Sequence, residues 1–327
     1  MSLITECEKT FKPYLARVLE AKGEVEIRGE KRLAMGQSRA MFILDLAYTG
    51  PKGPTERRII ARIEQWGHLG SDSRNEVSTM RALAAVGFPV ANVFAYETSN
   101  DVLGQPFFLM DFVQGSSVFS PDTADEYIRM LHKLHQIDSS SKHFDYLPRP
   151  ASLKAPARNV VEHLYEVYRK HLVGEPSPLI EECVQWLLNH APEAEEITLV
   201  HGDPGPGNYL TENGKITILV DWEFTTCGDP YEDWAYLVWM RGAPFLPEAD
   251  WIERIERVLG KKLDPQRMKW WKATNILKGV CLDTTSLKLY ADKVNPALNL
   301  LAIGTCWHLD VLQKLCAEIF NRSTAAG

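Results

Sequence analysis

The sequence predicts an α+β chain of two lobes, a small antiparallel β lobe with one helix followed by a larger, mainly helical lobe. Three observations carry that prediction. Strand-like stretches bounded by turn signals fill residues 24–113, helical spacing dominates after Gly115, and one loop-plus-hairpin at 199–222 interrupts the helices. Residues 1–113 are therefore assigned to the first lobe, with a leading helix, and residues 114–327 to the second.

In chain order, residues 3–22 place Phe11, Leu15, Val18 and Leu19 at helical spacing, with Pro13 as an early kink. From residue 24 the pattern turns strand-like. EVEIRGEKRLA leads into the turn MGQSR, AMFILDLAYT runs as a β-branched and aromatic strand, and GPKGP closes a hairpin onto RRIIARIE. SDSRNEVSTMRALAAVG reads as a helix that begins at Ser and Asp and ends at Gly87. ANVFAYET and QPFFLMDFV follow as strands joined by an Asn-Asp turn. Residues 121–137, 158–172 and 177–190 read as helices, and YLTENGKITILVDW as a hairpin about Asn213-Gly214, a type I′ signal. The rest, from about residue 230, is mostly helical.

Composition narrows the function. The 327 residues are 45% hydrophobic and 24% charged, with a formal charge of −7, which argues against a general nucleic-acid binder. The six cysteines form no C-x-x-C pair and no regular framework, as expected of reduced thiols in a cytoplasmic protein. MSLITECEKTFKPYL has no apolar centre, so no signal peptide is expected. VNPALNLLAIGTCWHL (294–309) is too short and interrupted to cross a bilayer and is expected to form a buried helix. No membrane partner is expected, and the sequence does not fix an oligomeric state.

The chemistry concentrates in LVHGDPGPGN at 199–208. Proline restricts φ and glycine frees it, so this is a loop held in one shape. Phosphoryl transfer asks a protein for a carboxylate near the acceptor hydroxyl, oxygen ligands for magnesium, a cation on the phosphates and a flexible cover. Magnesium keeps several waters, so one Asp and one Asn suffice as protein ligands. Asp203 lies in the loop, Asn208 at its far end, and Asp221 at the end of the hairpin's second arm. Any of the three alone would be read as a turn former. All three flanking one hairpin, after a β lobe, are not.

HGDPGPGN followed by VDWEFTTCGDPYEDWAYL resembles the aminoglycoside phosphotransferase and choline kinase superfamily, whose members share the protein-kinase-like fold. It resembles most closely the bacterial phosphotransferase-like group and the kinase-like domain fused to some acyl-CoA dehydrogenases. The resemblance covers about residues 30–240. It implies that Asp203 is the catalytic base and that Asn208 and Asp221 are magnesium ligands. It places Gly36 and Ser38 at the tip of a phosphate-covering hairpin, Arg62 on the donor phosphates and Glu76 as its helix partner. The backbone of Asp111, Phe112 and Val113 would meet the adenine. The implied reaction moves the γ-phosphate of ATP or GTP, with Mg²⁺, to a hydroxyl of a small molecule, the nucleotide lying between the lobes. A catalytically silent nucleotide-binding regulator of the same fold is the alternative.

Arginine at position 62 departs from the lysine of protein kinases and brings a planar fork of donors instead of a point charge. The segment between Asp203 and Asn208 also lacks the aromatic or basic residue of other branches. His201 is expected to brace the loop, Asp229 and Asp233 to shape a turn and a helix start, and Glu223 either to assist the metal or to stabilise its segment. The aromatics Tyr231, Trp234, Tyr236, Trp239, Trp270 and Trp271 are expected in helical core, and EAEE (193–196) in a solvated loop.

Overall fold

The computed structural model describes residues 3–33, 39–65 and 73–320. The chain divides into two compact units: residues up to Ser117 together with Tyr209–Phe224, and Val118–Asn208 together with everything from Thr225 onward.

The first unit opens with α1 (Leu3–Glu6) and α2 (Glu8–Val18). Strands β1 (Glu26–Leu33), β2 (Arg39–Gly50), β3 (Gly53–Glu64), β4 (Val93–Glu97) and β5 (Phe107–Asp111) form one antiparallel sheet in the order β1-β2-β3-β5-β4. Between β3 and β4 lies α3 (Ser73–Ala85), and the chain leaves it through Gly87 at φ +75°. Strand β3 buries Ile59, Ala61 and Ile63, and α2 buries Phe11, Tyr14 and Leu15 in the same core. Phe107 stands edge-on to Phe11 and Tyr14, with ring centroids 5.7 and 5.1 Å away. Each such buried side chain contributes about 1.5–3 kcal/mol.

The second unit begins with α4 (Ala124–His135), α5 (Ala155–His171), α6 (Pro178–Asn189) and the short strand β6 (Thr198–Val200). The chain then returns to the first unit for the hairpin β7 (Tyr209–Glu212) and β8 (Lys215–Leu219). Asn213 and Gly214 turn it with φ of 52° and 76°, the paired positive angles a type I′ turn requires. Ser116 bridges to Thr211, and Phe88 packs edge-on against Trp222, so the hairpin is tied into its unit.

Back in the second unit, β9 (Thr226–Gly228) pairs with β6. Then come α7 (Tyr231–Tyr236), a wide π-type turn over Leu237–Arg241, α8 (Glu248–Leu259) and α9 (Pro265–Ala291). Asp264 caps α9 by accepting from the N–H groups of Gln266 and Arg267, with Pro265 at the first helical position. Trp270, Trp271, Leu277 and Val280 make α9 a buried spine. Last are α10 (Leu298–Ala302), a second wide turn over Ile303–Trp307, and α11 (His308–Phe320).

The expectation of a buried helix at 294–309 does not hold. Leu298 is 73% exposed and Trp307 65%, and only Leu300 and Gly304 are buried in this stretch. A Cβ at Gly304 would lie 2.4 Å from Leu287 Cβ, so α9 is approached closely at Gly304, while Leu298 and Trp307 are exposed. Tyr231, Trp234, Trp270 and Trp271 are core, as expected, whereas Tyr236 and Trp239 are half-buried. Glu195 is paired with Lys261 and Arg267, so the acidic run is not simply solvated. The six cysteines are unbridged, and among the described residues no helix is long and apolar enough to cross a membrane.

Candidate active site

Arg62 lies on β3, in register with Phe108 of β5, and its side chain is 8% exposed. Its two terminal nitrogens reach two carboxylates, Glu76 Oε1 on α3 at 2.7 Å and Asp221 Oδ1 at 2.8 Å. Burial alone would pull the guanidinium pKa down. The charges of Glu76, Asp221 and Glu223 outweigh burial and raise it, so Arg62 is a fixed cation. Asp221 follows β8 with φ at +70°, a left-handed conformation uncommon outside glycine, of the sort that clusters at functional sites. Glu223 is buried in the same unit, and its carbonyl accepts from Asn75 Nδ2 at 3.5 Å.

The loop after β6 belongs to the second unit. Its shape comes from Gly202, Gly205 and Gly207, all at positive φ, alternating with the fixed φ of Pro204 and Pro206. Asp233, fully buried at the start of α7, takes the N–H groups of His201 and Gly202 at 2.8 Å each and meets His135 Nε2 at 2.8 Å. Burial would raise the Asp233 carboxyl, but the hydrogen bond and attraction of His135, with His201, hold it below the usual carboxylate range. Lys278 Nζ donates to the Gly202 carbonyl at 2.6 Å. His201 Nδ1 accepts from the Asp203 N–H at 3.3 Å, the bracing role expected of it.

Asp203 and Asn208 meet within this loop. Asn208 Nδ2 donates to the Asp203 carbonyl at 2.7 Å and to its Oδ2 at 2.8 Å. The amide nitrogen makes both bonds, so the amide oxygen, the atom a metal would take, is not committed to Asp203. That oxygen and the Asp221 carboxylate are hard donors. Each is of the kind a magnesium ion takes while it keeps water and phosphate oxygens as other ligands. Arg241 completes the loop, its Nε donating to Asp203 Oδ1 at 2.9 Å and a second nitrogen pairing with Oδ2.

Gly36 and Ser38 lie outside the described residues. Asp111 ends β5, where its N–H donates to the Asn92 carbonyl at 3.0 Å and its carboxylate pairs with Arg57. Among the described residues the N–H groups of Phe112 and Val113 have no backbone partner. Asp229 is structural: it accepts from the Tyr231 N–H at 3.0 Å and binds Arg267 through both oxygens at 2.9 Å. Sequence reasoning missed Arg241 and Lys278 at the loop and underrated Asp233. The two glycines between Asp203 and Asn208 were the available signal for Arg241, because a loop without side chains leaves room for one from elsewhere.

A model of the phosphotransferase enzyme family, APH, matches residues 33–271. Acyl-CoA dehydrogenase family member 10 of Mus musculus is 29% identical over 226 residues, which are 62% of this chain and 19% of that protein. The chain thus spans about a fifth of that relative's length. A candidate aminoglycoside phosphotransferase from Ralstonia eutropha superposes with a TM-score of 0.67 at 19% identity, over 96% of this chain and 98% of the other. A thermostable mutant of aminoglycoside phosphotransferase APH(4)-Ia, in ternary complex with AMP-PNP and hygromycin B, gives 0.63 at 16% identity, over 95% and 99%. The fold is therefore that of the protein-kinase-like phosphotransferases, with the small antiparallel sheet and larger helical part that the sequence predicts.

Proposed function

The chain belongs to the phosphotransferase enzyme family, and from that premise we propose that it transfers the γ-phosphate of ATP or GTP to a hydroxyl of a small molecule. The observation that carries this reading is the pairing of Asp203 with Asn208 in one glycine-shaped loop. A general base must keep its carboxylate at hydrogen-bond reach of the hydroxyl it serves, and a rigid loop provides that.

In this reading Asp203 orients the acceptor hydroxyl and takes its proton as the phosphoryl group moves. Arg62 steadies the donor phosphates while Glu76 and Asp221 hold its fork in place. The Asn208 amide oxygen and the Asp221 carboxylate would hold Mg²⁺, which when bound neutralises charge on the donor phosphates. Phe112 and Val113 offer their N–H groups to the base.

Asp203→Asn preserves shape and removes the base, so it is expected to abolish phosphorylation while the melting temperature stays near wild type. Unchanged turnover would remove the central assignment. Mg-ATP and Mg-GTP at 100 times Kd would each add about 2.7 kcal/mol of stability if bound, which a melting experiment reads directly. No shift with either would sink the nucleotide assignment. A shift without product across a broad acceptor panel would favour a nucleotide-binding regulator.

A further inference from the structure

The Asp203 carboxylate receives three N–H donors: Arg241 Nε on Oδ1, a second Arg241 nitrogen on Oδ2, and Asn208 Nδ2 on Oδ2. A carboxylate has about four lone-pair sites, so three donors fix its plane and rotation and leave one site, on Oδ1, for an acceptor hydroxyl. The fork comes from a residue 38 positions further along the chain. The loop is built to receive it. A Cβ at Gly205 would lie 2.3 Å from Arg241 Cβ, and one at Gly207 would lie 3.7 Å from an Arg241 terminal nitrogen. The arginine thus occupies the space that a loop side chain would fill.

What aims it there is the wide turn at Leu237–Arg241. A π-type turn inserts one residue into a helix, and each helical residue advances the direction by about 100°. The Gly242 N–H closes the turn on the Leu237 carbonyl at 2.8 Å, and the buried Trp251 donates its Nε1–H to the Gly242 carbonyl at 3.0 Å. A Cβ at Gly242 would come within 2.3 Å of Leu237 O and 2.6 Å of Trp251 Nε1, so only glycine fits this lock. Wide turns of this kind recur at functional sites.

We propose that Arg241 is a positioning residue for phosphoryl transfer: delivered by the wide turn, it holds the Asp203 carboxylate in the orientation that accepts the acceptor proton, in place of a cation within the loop. The proposal rests on the reading of Asp203 as the base. Its partner is nearly buried, with 6% of the Asp203 side chain exposed against 37% of the Arg241 side chain, so removing the arginine leaves that carboxylate with Asn208 Nδ2 as its side-chain donor and costs stability as well as orientation.

The test is turnover of Mg-ATP with water as acceptor, read as phosphate release, in the full chain and in Arg241→Ala, Arg241→Lys and Asp203→Asn. Arg241→Ala is expected to lower kcat about 10²-fold with KM for Mg-ATP within about threefold of wild type, since misplacing a reacting group costs rate and leaves nucleotide binding intact. Added guanidinium ion should restore part of that loss while sodium chloride at the same concentration does not, and Arg241→Lys should fall between. Full turnover in Arg241→Ala beside a dead Asp203→Asn overturns the proposal and leaves the base assignment standing. So does a loss that guanidinium does not restore and that follows a fall in melting temperature. Full turnover in Asp203→Asn, or a wild type that releases no phosphate, removes the base assignment and this proposal with it.

Discussion

Two arginines each grip an aspartate, Arg62 in the first unit and Arg241 in the second. Arg62 is 8% exposed and is shared between Glu76, itself 1% exposed, and Asp221. Arg241 is 37% exposed and approaches Asp203 from the end of a wide turn. Removing a partner from a buried pair strands a charge in a poor solvent, and water eases that cost where the departing side chain was exposed. The first arginine is therefore part of what keeps its unit folded as well as part of the site. The second leaves a nearly buried carboxylate behind, but at an edge that water reaches, so its removal costs less stability and is read chiefly in rate.

The largest effect expected from this contrast is at Glu76. Glu76→Gln keeps the size and removes the charge beside Arg62, and should lower unfolding stability by about 3 kcal/mol in urea titration. A midpoint equal to wild type would make the buried pair no more costly to break than a surface one. Next is a pH dependence of the second unit. Burial pushes the Glu232 carboxyl up to about 7 against the attraction of Lys278, with Asp233 and Asp229 adding to the rise, and burial pushes Asp283 up to about 7. The folded state therefore holds these protons at pH values where the unfolded chain releases them. The stability this contributes is complete below the ordinary carboxylate range and is lost as pH rises to about 7. Melting temperature should fall over that window, and Glu232→Gln should flatten the slope; an unaltered slope would place the titration elsewhere. The smallest effect is the stability of Arg241→Ala, expected to cost less than Glu76→Gln because water enters the space that the exposed guanidinium leaves. A larger loss would erase the distinction between the two arginines.

The same contrast explains what was legible in the sequence. Arg62 and Glu76 stand on a strand and the following helix, both evident from periodicity, and the resemblance to the phosphotransferase superfamily implied their partnership. The Asn213-Gly214 turn and the proline-glycine loop were legible because their backbone angles are written in residue type. Arg241 was not. Its orientation depends on one extra residue in a helical turn, and WMRGAP contains no residue that announces it; the lock is Gly242 against Trp251, nine residues apart. Hydropathy also misled at 294–309, because only Leu300 and Gly304 are buried there while Leu298 and Trp307 are exposed.

The close approach of Gly205 to Arg241 ties two distant positions into one unit of inheritance. A side chain at 205 would collide with the Arg241 Cβ at 2.3 Å, an atom that alanine keeps, so shortening the arginine to alanine does not make room. A change at 205 is compatible only with a re-routed turn at 237–241. Across descendants of this fold the two sites should covary as alternatives: bare loop with forked arginine, or substituted loop with a regular helix in place of the wide turn.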